Sequence, residues 1–462
     1  MIPSLSGPQD AAVKKGLIVS HNGDSCPEIA AVSLTSTTML KRFGSYLTGD
    51  GLNYLLGLAI YLFLIQVLSD QQYGEISVGI NIYQIFVMFV ALGLDLFGTR
   101  IIVSRGADLS KIVARVQLLR IGVAFLICAP IMAIAALHYL RIGESIIAVV
   151  ILGGFTMVLA RAFDLNYVAV ALSEPVILVR TRVLGLSLYL ASLVIFQANI
   201  VKHLWIIPVL NAAGITIGRI RMMQLLRPKY QTPDESVENS SLPSFQYLIE
   251  AGFKSSGGQL LLLAMCSLDV ILLHRYISMQ ELGQYAMMSR MYLFGTAVLT
   301  ALLNTFLPEL MLAAENHRGF TIQFKRFWIF SCILGLIGLL AFWTLAPFIF
   351  ETITHRPLIT ARELGPLYGI VFALMAICNP FLSLLPGLKL ESHYLLSICS
   401  AVVTVLAVDV ILVPKMGATG AAYGQICGTA MLLLSTALSL RSYIQHLEIK
   451  SGLKTPLTTA IL

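Results

Sequence analysis

Residues 42–95 read RFGSYLTGDGLNYLLGLAIYLFLIQVLSDQQYGEISVGINIYQIFVMFVALGLD. Two apolar runs, about 46–68 and 76–94, flank the polar turn SDQQYGE. Each is roughly 20 residues long, which at about 1.5 Å per residue crosses a hydrocarbon layer of about 30 Å. Gly49, Asp50 and Gly51 interrupt the first run near its start. The same layout returns between residues 250 and 304: an apolar run carrying Gly257 and Gly258, the turn ISMQELGQY, then a second apolar run. A shift of about 209 residues pairs Gly49 with Gly258, Leu52 with Leu261, Ser69 with Ser278, Gln71 with Gln280, Gly74 with Gly283 and Tyr83 with Tyr292. Glycine-interrupted apolar segments at matching places in two halves point to the substrate path of a membrane transporter.

Composition agrees. The chain is 57% hydrophobic and 12% charged, about half the charged fraction of a soluble domain, so it reads as an all-α polytopic membrane protein. Seven scattered cysteines, with no CxxC and no histidine cluster, argue against disulfides and metal sites. A GxxxxGK[ST] loop and an HExxH are both absent, so neither ATP hydrolysis nor zinc chemistry is expected.

Further apolar runs lie at about 116–137, 145–160, 183–198 and 204–226, then at about 248–274, 285–307, 327–350, 364–386, 394–413 and 417–440. With the opening pair they make about twelve spans. The organisation expected is an N-terminal extension (1–38), a first six-helix bundle (39–226), a flexible linker (227–246), a second six-helix bundle (247–442) and a tail (443–462). The extension has no signal-peptide core. Met39, just before Leu40, Lys41 and Arg42, is the expected start of the working protein, which intact mass would check. An even number of spans per half makes both bundles enter the membrane in the same sense, so their pseudo-two-fold axis runs along the membrane normal.

The formal net charge is +7. With both termini in the cytoplasm, roughly 23 of the 31 Lys and Arg residues fall in cytoplasmic segments. That bias explains the basic excess without a nucleic-acid partner. Of the rest, about 6 fall in external loops, and the remaining two, Arg120 and Arg290, fall inside spans.

Three stretches resemble a known family. LSDQQYGEIS with GLDLFGTR is similar to the first two spans of bacterial oligosaccharide-unit flippases, O-antigen transporters of the MATE/MOP superfamily. LDVILLHRYISMQELGQYAMMSRMYLF, continuing to NTFLPEL, resembles their seventh and eighth spans, and VPKMGATGAAYGQICGTAMLL their last turn. The resemblance covers essentially Met39 to the last span. It implies a protein of the bacterial cytoplasmic (inner) membrane that moves undecaprenyl-diphosphate-linked oligosaccharides between leaflets. The purpose is surface polysaccharide assembly, in company with a polymerase and a chain-length regulator. The need is physical: each sugar hydroxyl without a partner costs several kcal/mol in hydrocarbon, and a diphosphate far more.

Charged residues inside spans are the candidate site. Arg290, about 9 Å into the eighth span, is read as a cation for diphosphate or acidic sugar, the alternative being an ion pair or snorkelling. Arg120 and Lys254 are further candidates for substrate binding. Snorkelling competes for Arg120, and a salt bridge to Glu250 for Lys254. Asp50 and Asp269 are candidates for binding a coupling Na⁺ or H⁺, or for pairing with one of these cations. Asn53, Gln259, Asn304 and Asn379 are read mainly as polar glue between helices.

The nearest rival function is a cation-coupled multidrug exporter of the same superfamily, which should present acidic groups to the cavity. A membrane-embedded polymerase would need a sizeable external loop or an acid–base set, and every external loop is short.

Overall fold

A chain in hydrocarbon must satisfy each backbone N–H and C=O within its own segment, so apolar runs of bilayer length become helices. The computed structural model describes residues 36–91, 94, 98, 109–172, 174–230, 244–315, 320–355, 359–388 and 390–451. Among these residues every regular element is a helix. Residues 1–35, 231–243 and 452–462, which hold most of the expected extension, linker and tail, lie outside the described residues.

The first half comprises α1 (Ser36–Val67), α2 (Asp70–Ala91), α3 (Leu109–Arg141), α4 (Ser145–Ala162), α5 (Pro175–Ile195) and α6 (Ile206–Tyr230). The second comprises α7 (Phe245–Leu273), α8 (Met279–Glu315), α9 (Phe320–Leu340 running on through Ala341–Leu345 and Ala346–Thr354) and α10 (Ile359–Gly387). It ends with Glu391–Ser451, which Gly417, at φ 55° and ψ −132°, divides into α11 and α12. Eight of the described helices are long and apolar enough to cross a membrane, the α11–α12 pair counting as one. The apolar parts of α1 and α7 and the 37-residue α8 complete the set of twelve. The protein is a multi-pass membrane protein of two six-helix bundles.

Packing repeats between the halves. Helix α2 packs on α4 as α8 packs on α10, and α3 packs on α4 as α9 packs on α10. The halves meet chiefly where α2 lies against α8 and α7. Gly74 and Gly283, paired by the internal repeat, touch there. A Cβ on Gly74 would sit on the Met279 carbonyl oxygen and 3.1 Å from the Gly283 nitrogen, and a Cβ on Gly283 on the Asp70 carbonyl. Only glycine permits that approach of two backbones.

Two expectations change in detail, and one feature was not anticipated. The glycines of α1 and α7 do not interrupt their helices, which run unbroken past Gly51, Gly257 and Gly258. Gly258 instead gives room to the Tyr394 ring of α11, the use that membrane helices make of small residues at contacts. Helix α5 starts at Pro175 rather than near 183, because proline suits a first turn and the missing N–H costs nothing there. Its first turns therefore carry Arg180 and Arg182. Finally, α3 and α9 each contain a five-residue π-helical stretch, Ala124–Cys128 and Ala341–Leu345, followed in both by Ala-Pro. Proline lacks the N–H of an α-helical ladder, and the wider turn takes up the fault.

Candidate functional site

The seam between the halves is closed at one end and open at the other. At the end carrying the α1–α2 and α7–α8 turns, beside the glycine contact, Gln284 Nε2 donates to Asp70 Oδ2 at 3.0 Å. The Thr360 N–H donates to Gln284 Oε1 at 3.1 Å and so fixes that amide from within the second half. The Tyr61 hydroxyl donates to the Met287 carbonyl. Nearby, His274 Nε2 lies 2.7 Å from Glu144 Oε2, and its ring stacks on Tyr139 at 5.8 Å. The contacts made by Asp70, Tyr61 and His274 each link one half to the other.

Arg290 occupies the middle of this seam. Its guanidinium is partly buried and faces Gln84 of α2, with Nη2 3.4 Å from Oε1. The hydroxyls of Tyr61, Tyr73 and Tyr83 lie within its electrostatic reach. It points toward α2, into the space between the halves.

Beyond Arg290 the seam opens. Phe294 rests on Gly57 and against Tyr61, with ring centroids 5.5 Å apart. Next to it a cavity of about 530 Å³ lies between α1 and α8, walled by Gly51, Leu52, Tyr54, Leu55, Phe294 and Val298. Leu52 and Leu55 are exposed. The cleft is therefore apolar and communicates with the outside of the bundle.

Arg120 sits elsewhere. It is 0% exposed, donates from Nη1 to the Asp164 carbonyl at 2.9 Å and from Nη2 to the Ala91 carbonyl at 3.4 Å, and lies 5.3 Å over the Tyr167 ring. That arrangement ties α2, α3 and the α4–α5 connection together inside the first half. Asp164 is the hub: its carboxylate binds Arg161, takes a bond from Arg219 Nη2 at 3.1 Å, and caps the Asn166 N–H at 3.0 Å.

The second half holds a pair of acids. Asp269 is buried and accepts from the Tyr285 hydroxyl, from Gln425 Nε2 at 3.2 Å and from the Val270 N–H at 2.7 Å. Asp409, on α11, is 0% exposed, and neither carboxylate oxygen has a hydrogen-bond partner among the described residues. The two acids lie within electrostatic reach of each other. Asp50 and Lys254 belong to α1 and α7, but their side chains, like those of Gln259 and Asn304, lie outside the described set. Asn379 donates to the Leu299 carbonyl at 3.3 Å, as helix–helix glue does.

The candidate residues are thus not gathered at one point. Arg290 lies in the seam, Arg120 in the first half and Asp269 in the second. Sequence reasoning missed Gln84, the Asp164 hub and the His274–Glu144 pair. Only the i, i+3 spacing of Arg161 and Asp164 was a local signal for any of them.

A family model described as Polysaccharide biosynthesis protein matches residues 39–311. No curated protein matches the sequence. Among solved structures the chain is similar to an inward-facing multidrug resistance MATE family transporter of the MOP superfamily (TM-score 0.70, 12% identity, 89% of this chain and 99% of that one). It is also similar to the lipid II flippase MurJ in an inward closed conformation (TM-score 0.62, 12% identity, 90% and 95%). A third likeness is to the MATE multidrug transporter DinF-BH (TM-score 0.63, 13% identity, 91% and 98%). At such identities these likenesses establish the fold.

Proposed function

The chain belongs to the polysaccharide biosynthesis protein family, and on that premise we propose that it is a flippase of the MATE/MOP superfamily that moves undecaprenyl-diphosphate-linked oligosaccharides. The setting proposed is the bacterial inner membrane, with both termini cytoplasmic. The observation that carries this reading is Arg290: a guanidinium held inside the seam between the two halves, next to an apolar cleft. A cation in the passage answers a diphosphate, and an apolar side opening lets a polyprenyl chain remain in lipid while its head group enters. A charge inside the membrane costs up to about 2.5–3.5 kcal/mol on insertion scales, so its presence asks for a compensating role.

With the termini cytoplasmic, the sealed end of the seam is external and the open end internal. Alternating access then consists of parting the halves at the glycine contact and closing them around the cleft. The rival reading, export of drug cations, calls for acidic groups beside the open cleft; Arg290 stands there, and the described acids of the seam, Asp70 and Glu144, lie at its sealed end against Gln284 and His274.

Coupling to H⁺ or Na⁺ is assigned to the second half, through Asp269 and Asp409. A bare carboxylate with no donor in a buried setting is too costly to persist, which supports Asp409 as the group that takes up a coupling proton or cation. Asp409→Asn should leave the protein in the membrane but cut gradient-driven transport by about tenfold or more, read in proteoliposomes with and without an imposed ion gradient. An unchanged gradient response would remove the pair from coupling.

The function itself is tested in a deletion strain. Lipid-linked units should accumulate at the inner leaflet with no single units at the surface, whereas a polymerase deletion still displays single units. Normal surface polysaccharide in the strain would end the flippase reading.

A further inference from the structure

Away from the seam, the first half contains a polar cavity of about 310 Å³ whose walls include Asn53, Arg161, Asp164, Asn166, Arg182 and Arg219. From it we infer a second anion site, specific for a diphosphate, through which the head group passes before it reaches Arg290. This rests on the transport reading above.

The cavity is built rather than incidental. Asp164 anchors Arg161 and takes one bond from Arg219 Nη2, which aims that guanidinium while leaving Nη1 buried and without a hydrogen-bond partner. Asn53 likewise has both amide atoms, Nδ2 and Oδ1, buried and without a partner. Arg182 lines the same space from α5 and is exposed. Buried donors left unsatisfied are costly, the more so when charged. Donors from three helices, α1, α5 and α6, therefore converge on this space. Its one carboxylate, Asp164, is already engaged by Arg161, Arg219 and Asn166 and does not serve the remaining donors. A volume of about 300 Å³ stands at the lower end for ligand pockets, a fair size for two phosphoryl groups and their waters.

Position supports passage. Asn53 and Tyr61 lie on the same helix, about 12 Å apart at 1.5 Å per residue. Tyr61 is bonded to Met287, three residues from Arg290. Helix α1 thus carries residues of both cationic stations, about 12 Å apart along its axis.

The ligand chemistry is shared by free pyrophosphate and by a polyprenyl diphosphate, so both serve as probes. Binding is measured by calorimetry on the detergent-purified full chain carrying Arg290→Ala, which removes the seam cation. Inorganic pyrophosphate should still bind. Adding Arg182→Gln should weaken it about tenfold, one charge-assisted hydrogen bond's worth, and adding Asn53→Ala should weaken it by a smaller factor. Polyprenyl diphosphate in bicelles should bind at least as tightly and show the same losses. Arg182 is exposed and makes no structural ion pair among those described, so its replacement separates binding from folding. If Arg290→Ala alone abolishes binding, or Arg182→Gln and Asn53→Ala change nothing, the cavity is a structural ion-pair network and the inference falls. The seam reading would then survive, since it is judged by surface polysaccharide. If free pyrophosphate binds but the lipid-borne form does not, the head-group assignment is overturned.

Discussion

Cells carrying Arg290→Ala should lose surface polysaccharide, with the transport rate falling by about 10- to 100-fold and protein level unchanged. The magnitude follows from the role assigned to the side chain. A hydrogen bond to a charged group contributes roughly 1.5–3 kcal/mol, and in transport that contribution counts only while the head group sits in the seam. The folded state loses little, because the contact to Gln84 is long at 3.4 Å and removing a partly buried cation relieves its desolvation. Arg290→Lys should recover part of the activity, since it keeps the charge but not the planar fork that meets a phosphate in two places. Surface polysaccharide is read by gel and immunoblot, and membrane insertion by fractionation. Wild-type polysaccharide in the alanine variant would remove Arg290 from the passage.

The second large effect is expected at Gly283. Any Cβ there falls on the Asp70 carbonyl oxygen and close to the Gly74 nitrogen. Both are backbone atoms, so no rotamer change relieves the overlap and α2 must move away from α8. Overpacking of this kind costs about 1–3 kcal/mol, enough to shift a two-state equilibrium by about 5- to 150-fold. Gly283→Val should therefore hold the sealed end open and stop transport. A cysteine at Ser77, on α2 and only 2% exposed, reports this in a chain freed of its native cysteines. It should resist a water-soluble maleimide in the parent and react in the variant. Gly74→Val should behave the same way, because the two glycines are related by the repeat. Parental labelling together with normal polysaccharide would mean that the halves do not part there.

Much of this architecture could be read from residues alone, and for identifiable reasons. Twelve spans were legible because a helix must match the thickness of the bilayer, and the runs did. The pairing of Gly74 with Gly283 across the repeat was legible as a register, and the structure brings those two residues into contact. The placement of Arg290 on a span was legible too, but its partner Gln84 was not, since facing directions between separate helices leave no trace in spacing. The glycines of α1 and α7 were read as breaks, and the helices run through them. Glycine weakens a helix in water by exposing backbone to solvent, while in hydrocarbon there is no competing solvent and the ladder holds. The Asp164 hub draws on α3, α4 and α6, and only a folded bundle brings those together.

The π turns in the third helix of each half bear on how these helices tolerate length changes. Residues four apart on an α-helix drift by about 40° at each step, yet Val116, Arg120, Ala124, Cys128, Met132 and Ala136 are all buried along α3. The wide turn at Ala124–Cys128 absorbs that drift and keeps a single stripe facing the bundle. Phe342, Ala346, Phe350 and Thr354 repeat the pattern in α9. A one-residue deletion inside either wide turn can therefore close it to an ordinary one with the flanking faces undisturbed. The same deletion a turn away would rotate half a helix out of register.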